Sequence, residues 1–469
     1  MAKLVRSIHD TAVSSPQKSA YITDSGSINY GCLWEKAYEL GNALKSQGVK
    51  PIIIFGHKSA EMIISLVACL YAKRTYICVE SDTPAERLEK IISLSDAELI
   101  IRNEPLTFNA LPCLSIEEII NKYKSSKPLH ISNETAYIIF TSGSTGEPKG
   151  VPISYENLDS FNRWINAIPC LKCKRKHIFS QASLCFDLSV AAIWYAFSNG
   201  ECLHSAGREV QGNLSQLFRA IAKTDMLVIT PTFAKLLLSD KQFTAEKFPD
   251  ISCFYLCGEQ LEPTIAKKLL SRFPDADVIN AYGPTEATSA VSASIITMDM
   301  TELDRLPAGE ISTAACDIET DGGEIILKGD SVFNGYLGSI TGGYYNENGV
   351  NCYKTGDLGY IENGRLFCLG RKDNQIKYSG YRIELEDIES NIMKLKGIQQ
   401  AACIAKRKSN GTVKFIKAFI VSKYLTADEI KDELSKLLPS YMMPKVITII
   451  DEIPLNRSGK IDRKVLETL

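Results

Sequence analysis

Apolar and polar positions follow two alternating periods along the first 130 residues. The stretch SINYGCLWEKAYELGNALKSQGV (27–49) places its apolar residues three and four apart and stops at a glycine, which predicts a helix. PIIIFG (51–56) is a short β-branched run and predicts a strand. Helical spacing returns over 59–72, and TYICVE (75–80) predicts the next strand. Helices alternating with buried strands specify an α/β domain with largely parallel sheets. The most apolar segment, MIISLVACLYA (62–72), falls short of the roughly 20 residues that a membrane-crossing helix needs, so it predicts a buried helix.

The pattern changes after GRLFCLGRKDNQIKYSGYRIELEDIE (364–389). Beyond it the spacing predicts a helix over 384–396, strands near 400–406 and 414–421, and a helix over 426–438, a small α+β unit. The expected organisation is a large domain of mixed and parallel sheets flanked by helices (1–372), then a small domain (373–469). A chain of 469 residues exceeds what one core usually serves, in keeping with more than one domain.

Charge divides at the same place. Residues 374–469 hold 17 Lys+Arg against 12 Asp+Glu, a net of +5, while the rest of the chain nets −7. A basic small domain is either a surface for an acidic partner or a solvated helical face. No basic stripe or base-stacking motif appears, so nucleic acid is not an expected partner. The N-terminal MAKLVRSIHDTAVSSP lacks the apolar core and cleavage site of a secretory signal, and neither membrane insertion nor export is expected; the expected location is the cytoplasm. The 14 cysteines are scattered through apolar runs, as reduced thiols used for packing are. Cys170, Cys173 and His177, with Cys185, Cys202 and His204 further on, invite a metal, but no firm spacing selects the fourth ligand. Unliganded thiols are the expected state.

The strand AYIIF (136–140) feeds FTSGSTGEPKG (140–150), and Ser154 is placed to cap a helix beginning YENLDSF. A glycine-rich turn at a strand end can offer backbone N–H groups and hydroxyls to phosphate oxygens, with Lys149 adding charge. The spacing is not that of the common nucleotide loop, because Gly150 follows the lysine where a hydroxyl would hold magnesium. Taken alone, the segment is a polar surface loop.

It is not alone. FTSGSTGEPKGV resembles the signature loop of the adenylate-forming enzymes, the superfamily of acyl-CoA synthetases, luciferases and peptide-synthetase adenylation domains. NAYGPTEAT (280–288), YKTGDLG (353–359), GRKDNQIKYSGYRIELEDIE (370–389) and PLNRSGKIDRK (454–464) match that superfamily's further motifs in order. The resemblance implies that a carboxylate attacks the α-phosphate of ATP, pyrophosphate leaves, and a thiol then captures the acyl group. It implies that Thr141, Ser142, Ser144, Thr145 and Lys149 hold the β- and γ-phosphates. Asn280, Ala281, Tyr282, Gly283, Pro284 and Thr285 would surround the nucleotide, with Tyr282 stacked on adenine and Thr285 at the α-phosphate. Glu286 would help hold Mg²⁺, Asp357 the ribose hydroxyls, and Arg371 the ribose or phosphate. Lys460 would bridge the substrate carboxylate and the α-phosphate as the catalytic lysine. The small domain would be mobile, turning about a hinge at Asp373 and exchanging Lys460 for the loop around Gly380.

Asp187, inside SLCFDLSVAAIW (183–194), carries the substrate expectation. A carboxylate in an apolar run needs a partner. In amino-acid-activating members of the superfamily an aspartate here pairs with the substrate ammonium; the alternative is a helix N-cap. By the same carry-over, Leu188, Ala191, Val228, Tyr255, Cys257, Gly258, Ala281, Ser289 and Ala290 line the pocket together with Lys460. These are mostly apolar or small, which implies a small neutral amino acid. FYLCGEQLEP (254–263) and FDLSV most resemble the ligases that load D-alanine onto a carrier protein. Ala191, Ala281 and Ser289 are smaller than the residues usual there, and Tyr255 is bulkier, so side chain and chirality stay open. The expected partners are that amino acid and a phosphopantetheinylated carrier protein in trans, since nothing like a carrier domain follows Lys464. A small-acid acyl-CoA synthetase is the alternative; Asp187 speaks against it. A catalytically silent relative would be expected to lack Lys460, Asp357 or Glu286, and all three are present.

Overall fold

The computed structural model describes residues 3–469 apart from 107, 124–125, 130, 132, 144–146, 173–174, 339–341, 379, 408–412 and 456–460. The chain forms two compact units: residues 1–81, 96–139 and 151–370 make the first, and 82–95, 140–150 and 371–469 the second.

In the first unit, among the described residues, eight strands form one sheet in the order Ser292–Ile295, Asp277–Tyr282, Cys253–Leu256, Met226–Ile229, His177–Ser180, Cys202–Ser205, Ser19–Thr23 and Gly26–Asn29. All neighbours are parallel except the outermost pair at each edge. Alternation along each strand divides the side chains between two cores. Val228, Tyr255 and Ile279 join one cluster, while Leu227, Phe254 and Val278 join the other. Both faces are therefore dry, which is why these strands read as unbroken apolar runs. A second sheet runs Cys113–Leu114, Leu99–Arg102, Ile52–Phe55, Tyr76–Val79, Thr135–Thr141 and Lys149–Ser154. A third is antiparallel and contains Glu324–Lys328, Val350–Glu362 and Arg365–Arg371.

The helix at 59–72 forms as Ala60–Ala72, nearly all of it buried, with the Ser59 hydroxyl accepting from the Met62 N–H. Ser154 likewise caps Tyr155–Ala167 in a capping box with Asn157. The predicted helix over 27–49 begins late. Residues 27–29 belong to the strand Gly26–Asn29, paired with Ser19–Thr23, and the helix is Tyr30–Gln47. The Asn29 side chain accepts from the Cys32 N–H and fixes the boundary; helical spacing alone did not register that cap.

The second unit has its own core, built from Ile376, Ile383, Ile388, Ile416 and Leu434 among others. The hairpin Gln375–Tyr378/Tyr381–Glu384 leads into the helix Leu385–Met393, and Ile398–Arg407, Val413–Ser422 and Val446–Ile449 form a three-stranded sheet. Both helices end earlier than the sequence predicts. The first stops before a turn at Gly397, whose φ of +93° suits glycine. The second, Ala427–Leu434, gives way to a turn ahead of Pro439, which cannot continue a helix.

Candidate active site

In the first unit the predicted residues gather at the C-terminal ends of the parallel strands, where open α/β sheets bind ligands. Asp187 follows His177–Ser180 and directly precedes the buried helix Leu188–Ser198. It occupies the N-cap position with αR backbone angles and makes no capping hydrogen bond, so the capping alternative does not hold. Its carboxylate accepts instead from the Thr285 hydroxyl at 2.6 Å. The charge also reaches the phenols of Tyr137 and Tyr255, both pushed well above the ordinary tyrosine range, by burial first and by this carboxylate in addition.

Ala191, Val228, Tyr255, Cys257, Ala281 and Ala290 are buried in one apolar cluster with Leu188. Their grouping follows from register, since Val228 pairs with Tyr255 across the sheet and alternate residues share a face. Gly283 lies against the loop after Thr285: a Cβ there would sit 2.5 Å from the Ala290 Cα, so only glycine fits. Thr288 and Ser289 hold positive φ of 60° and 73°, a costly conformation for these residues that holds the loop in its path. The Tyr255 hydroxyl and Ser289 Oγ are buried without a hydrogen-bond partner.

Tyr282 ends the strand Asp277–Tyr282, and its hydroxyl donates to Asp357 Oδ2 at 2.8 Å. Burial, then the neighbouring carboxylate, drives this phenol well above its usual range, so it stays a donor. The Asp357 N–H donates to Thr355 Oγ1, whose hydroxyl donates in turn to the Ile325 carbonyl, and this fixes the bend of TGDLG. Asn280 Nδ2 donates to the Pro307 carbonyl. Glu286 is fully buried, and its Oε1 accepts from the Tyr336 hydroxyl at 2.5 Å, with the Tyr353 hydroxyl 3.1 Å beyond. No motif pointed to Tyr336; only the folded chain brings it to Glu286.

The loop 140–150 belongs to the second unit. Ser142 Oγ donates to the Arg382 carbonyl at 3.0 Å and accepts from the Glu384 N–H at 2.9 Å. Thr141 and Ser142 are buried and Lys149 is half-buried. Arg371 grips Asp373 through two hydrogen bonds of 2.7 Å. Burial works to raise the Asp373 carboxyl, but the Arg371 bonds and charge outweigh it and hold it below the usual range. Ser144, Thr145 and Lys460 lie outside the described residues.

A second polar cluster in the first unit escaped sequence reasoning because its members are far apart in the chain. Glu80 accepts from the Arg208 guanidinium at 2.5 Å, lies 2.7 Å from His57 Nδ1, and takes a short hydrogen bond from Ser183. Lys58 beside it is buried and donates to the Gln181 carbonyl at 2.6 Å. Desolvation brings the Lys58 ammonium down to about 7, against the opposing pull of Glu80.

The family match and the relatives below make this chain an adenylate-forming ligase, which consumes ATP and forms AMP. The chain belongs to the AMP-binding enzyme family: that family matches residues 8–337, and the AMP-binding enzyme C-terminal domain matches 387–460. It is 37% identical over 501 residues to a D-alanine–D-alanyl carrier protein ligase of Bacillus licheniformis, covering 99% of each chain. Its identity to the ligase of the same name from Listeria welshimeri is also 37%, over 99% of this chain and 98% of the relative. Among solved structures, the Vibrio cholerae adenylation domain AlmE, in complex with glycyl-adenosine-5'-phosphate, shares the fold with a TM-score of 0.82 at 22% identity, over 100% of this chain and 97% of that one. An NRPS protein containing adenylation and PCP domains gives 0.80 at 26% identity, over 99% and 83%.

Proposed function

We propose that this chain activates a small neutral amino acid, D-alanine before others, as its aminoacyl-adenylate and passes it to the phosphopantetheine thiol of a separate carrier protein. The observation that carries this reading is Asp187: a carboxylate set among apolar side chains, paired with Thr285 and close to the buried residues assigned to the substrate. In this reading the Asp187 carboxylate receives the substrate ammonium, a group that a plain carboxylic acid lacks. The names of the ligases at 37% identity support D-alanine.

In the first half-reaction a substrate carboxylate oxygen bonds to the α-phosphorus, and the bond from that phosphorus to the bridging oxygen of pyrophosphate breaks. Charge builds on the phosphate oxygens, so fixed donors and cations contribute most. Thr141, Ser142 and Lys149, with Ser144 and Thr145, take the departing phosphates. Thr285 faces the α-phosphate, Asp357 takes the ribose hydroxyls, and Lys460 bridges the two reactants. Glu286 suits Mg²⁺: it is a hard oxygen donor, fully buried, with one oxygen fixed by Tyr336. Mg²⁺ supplies charge neutralisation on the phosphates. In the second half-reaction the carrier thiol attacks the acyl carbon and AMP leaves, with Asp373 as the hinge between the two steps. The proposed location is the cytoplasm, with no nucleic-acid or membrane partner; among the described residues no helix is long and apolar enough to cross a membrane.

The unpartnered hydroxyls of Tyr255 and Ser289 favour a second reading of the side chain alone, a hydroxylated amino acid such as serine. A site built to bond a hydroxyl rejects the analogue that lacks it. Intact-mass measurement on a phosphopantetheinylated carrier, incubated with the enzyme, ATP and each candidate amino acid, tests the proposal. Carrier gaining one aminoacyl group supports it, and preference for serine over alanine that Tyr255→Phe abolishes selects the second reading. Acyl-CoA formation in parallel reactions supplied with CoA and a simple carboxylic acid, without carrier loading, would overturn both.

A further inference from the structure

Among the described residues, one group of three His and Cys side chains brings its ligand atoms together, and it lies away from Asp187, Thr285 and Tyr282. His177 opens the strand His177–Ser180, and Cys202 opens Cys202–Ser205. The two strands are parallel neighbours, with Cys202 opposite His177 and Leu203 opposite Ile178. Paired residues of parallel strands leave the sheet on one face, and a residue two further along leaves on that face too. Register therefore places His177, Cys202 and His204 side by side, although they are separated in sequence. His177 Nδ1 and His204 Nε2 are 2.9 Å apart, and the three ligand atoms all lie within 4.8 Å of one another. Cys202 and His204 are buried and His177 is half-buried, which leaves one side of the group open.

We propose that His177, Cys202 and His204 bind one zinc-class divalent ion, with water as the fourth ligand. The donor set, two imidazole nitrogens and one sulfur, suits a borderline ion such as Zn²⁺ and does not suit Mg²⁺ or Ca²⁺. Zinc bonds of about 2.0–2.1 Å to nitrogen and about 2.3 Å to sulfur put tetrahedral ligand atoms roughly 3.3–3.6 Å apart. The two imidazoles open by a few tenths of an ångström to meet this, and the Cys202 sulfur moves in by about 1 Å through side-chain rotation. The backbone beneath is already fixed: the Asp225 carboxylate accepts from the N–H groups of Lys176 and His177 at 2.7 and 3.0 Å. The Lys18–Glu201 ion pair, at 2.6 Å, sits beside Cys202 in sequence and adds no net charge. The sequence offered Cys170 and Cys173 beside His177, with Cys185, Cys202 and His204 further on, and no spacing chose among them. Cys173 lies outside the described residues, and the partners of His177 come from the neighbouring strand.

The ion acts as a brace. It ties the N-terminal ends of two adjacent strands whose C-terminal ends lead towards Asp187 and the candidate substrate residues. Binding is therefore readable apart from catalysis. The test is titration of the chelator-stripped full chain with Co²⁺, followed by absorbance, with Zn²⁺ added afterwards. The expected result is one equivalent of Co²⁺ with visible tetrahedral bands and a thiolate-to-cobalt charge-transfer band, all displaced by one equivalent of Zn²⁺. Cys202→Ser should remove the charge-transfer band, and His177→Gln, at the half-exposed position, should weaken binding at least tenfold. If Cys202→Ser fails to fold, His177→Gln together with a Zn²⁺-dependent rise in the wild-type melting temperature decides. No uptake by the wild-type chain, or uptake unchanged in the variants, overturns the proposal; the second outcome would move the ion to other cysteines.

Discussion

The Thr285 hydroxyl donates to the Asp187 carboxylate at 2.6 Å, joining the residue proposed to hold the substrate ammonium to the one proposed to face the α-phosphate. A hydroxyl has one proton to give, so Thr285 serves either the carboxylate or a phosphate oxygen at a given moment. Under the proposed roles, an ammonium that replaces Thr285 at Asp187 would leave the hydroxyl free to turn, and amino-acid binding and phosphate contact would be coupled through two side chains.

Asp187→Asn keeps the shape and loses the charge. Charge-assisted hydrogen bonds contribute about 1.5–3 kcal/mol, so kcat/KM for the amino acid should fall about 10- to 100-fold with KM for ATP little changed. Thr285→Val should cost less, about 1 kcal/mol. A double-mutant cycle on pyrophosphate exchange should show the two effects to be non-additive. Additive effects would mean that the hydrogen bond has no part in the reaction.

Tyr282→Phe removes one donor to the buried Asp357 carboxylate. A net hydrogen bond contributes about 0.5–1.5 kcal/mol and one to a charged group more, so urea unfolding should show a loss of about 1 kcal/mol or more. KM for ATP should rise while KM for the amino acid holds. Asp357→Asn should raise KM for ATP further, because the proposed ribose contact goes with it.

Glu286→Gln leaves an oxygen for Tyr336 and removes the charge proposed for Mg²⁺. Activity titrated against Mg²⁺ should reach its midpoint at about tenfold higher concentration, the equivalent of about 1.4 kcal/mol. An unshifted midpoint would take Glu286 out of the metal's reach.

Lys58 predicts a pH signature. Its folded-state value of about 7 lies below that of the unfolded chain. As pH rises above 7 the folded chain releases this proton while the unfolded chain keeps it until near 10.5. The unfolded state then binds more protons, so stability rises with pH across this window, by up to about 1.4 kcal/mol per pH unit. Lys58→Met should flatten that rise, and urea unfolding at pH 7, 8 and 9 measures it.

The sheets and helices were legible because both periods are strong: Ile52–Phe55 and Ala60–Ala72 are dictated by side chains that must be buried. Boundaries were less so, because Asn29 and Gly397 act through local hydrogen bonds and dihedral angles that periodicity does not register. The resemblance named Asp187, Tyr282 and Asp357, and the fold supplied their partners. Tyr336 at Glu286 and Arg208 at Glu80 are contacts between distant segments, carried by no motif, and His204 at His177 is one the sequence offered only among several candidates. Sequence also offered capping as an alternative role for Asp187, and only its backbone angles and the Thr285 contact exclude it.

The most direct measurement is amino-acid-dependent exchange of labelled pyrophosphate into ATP, over D-alanine, glycine, β-alanine, D-serine and the L-amino acids, with wild-type chain and Asp187→Asn. The account predicts strong exchange with one small neutral amino acid, D-alanine first, falling about 10- to 100-fold in the variant. Exchange that needs no amino acid, or that a simple carboxylic acid drives equally well in both proteins, would contradict it.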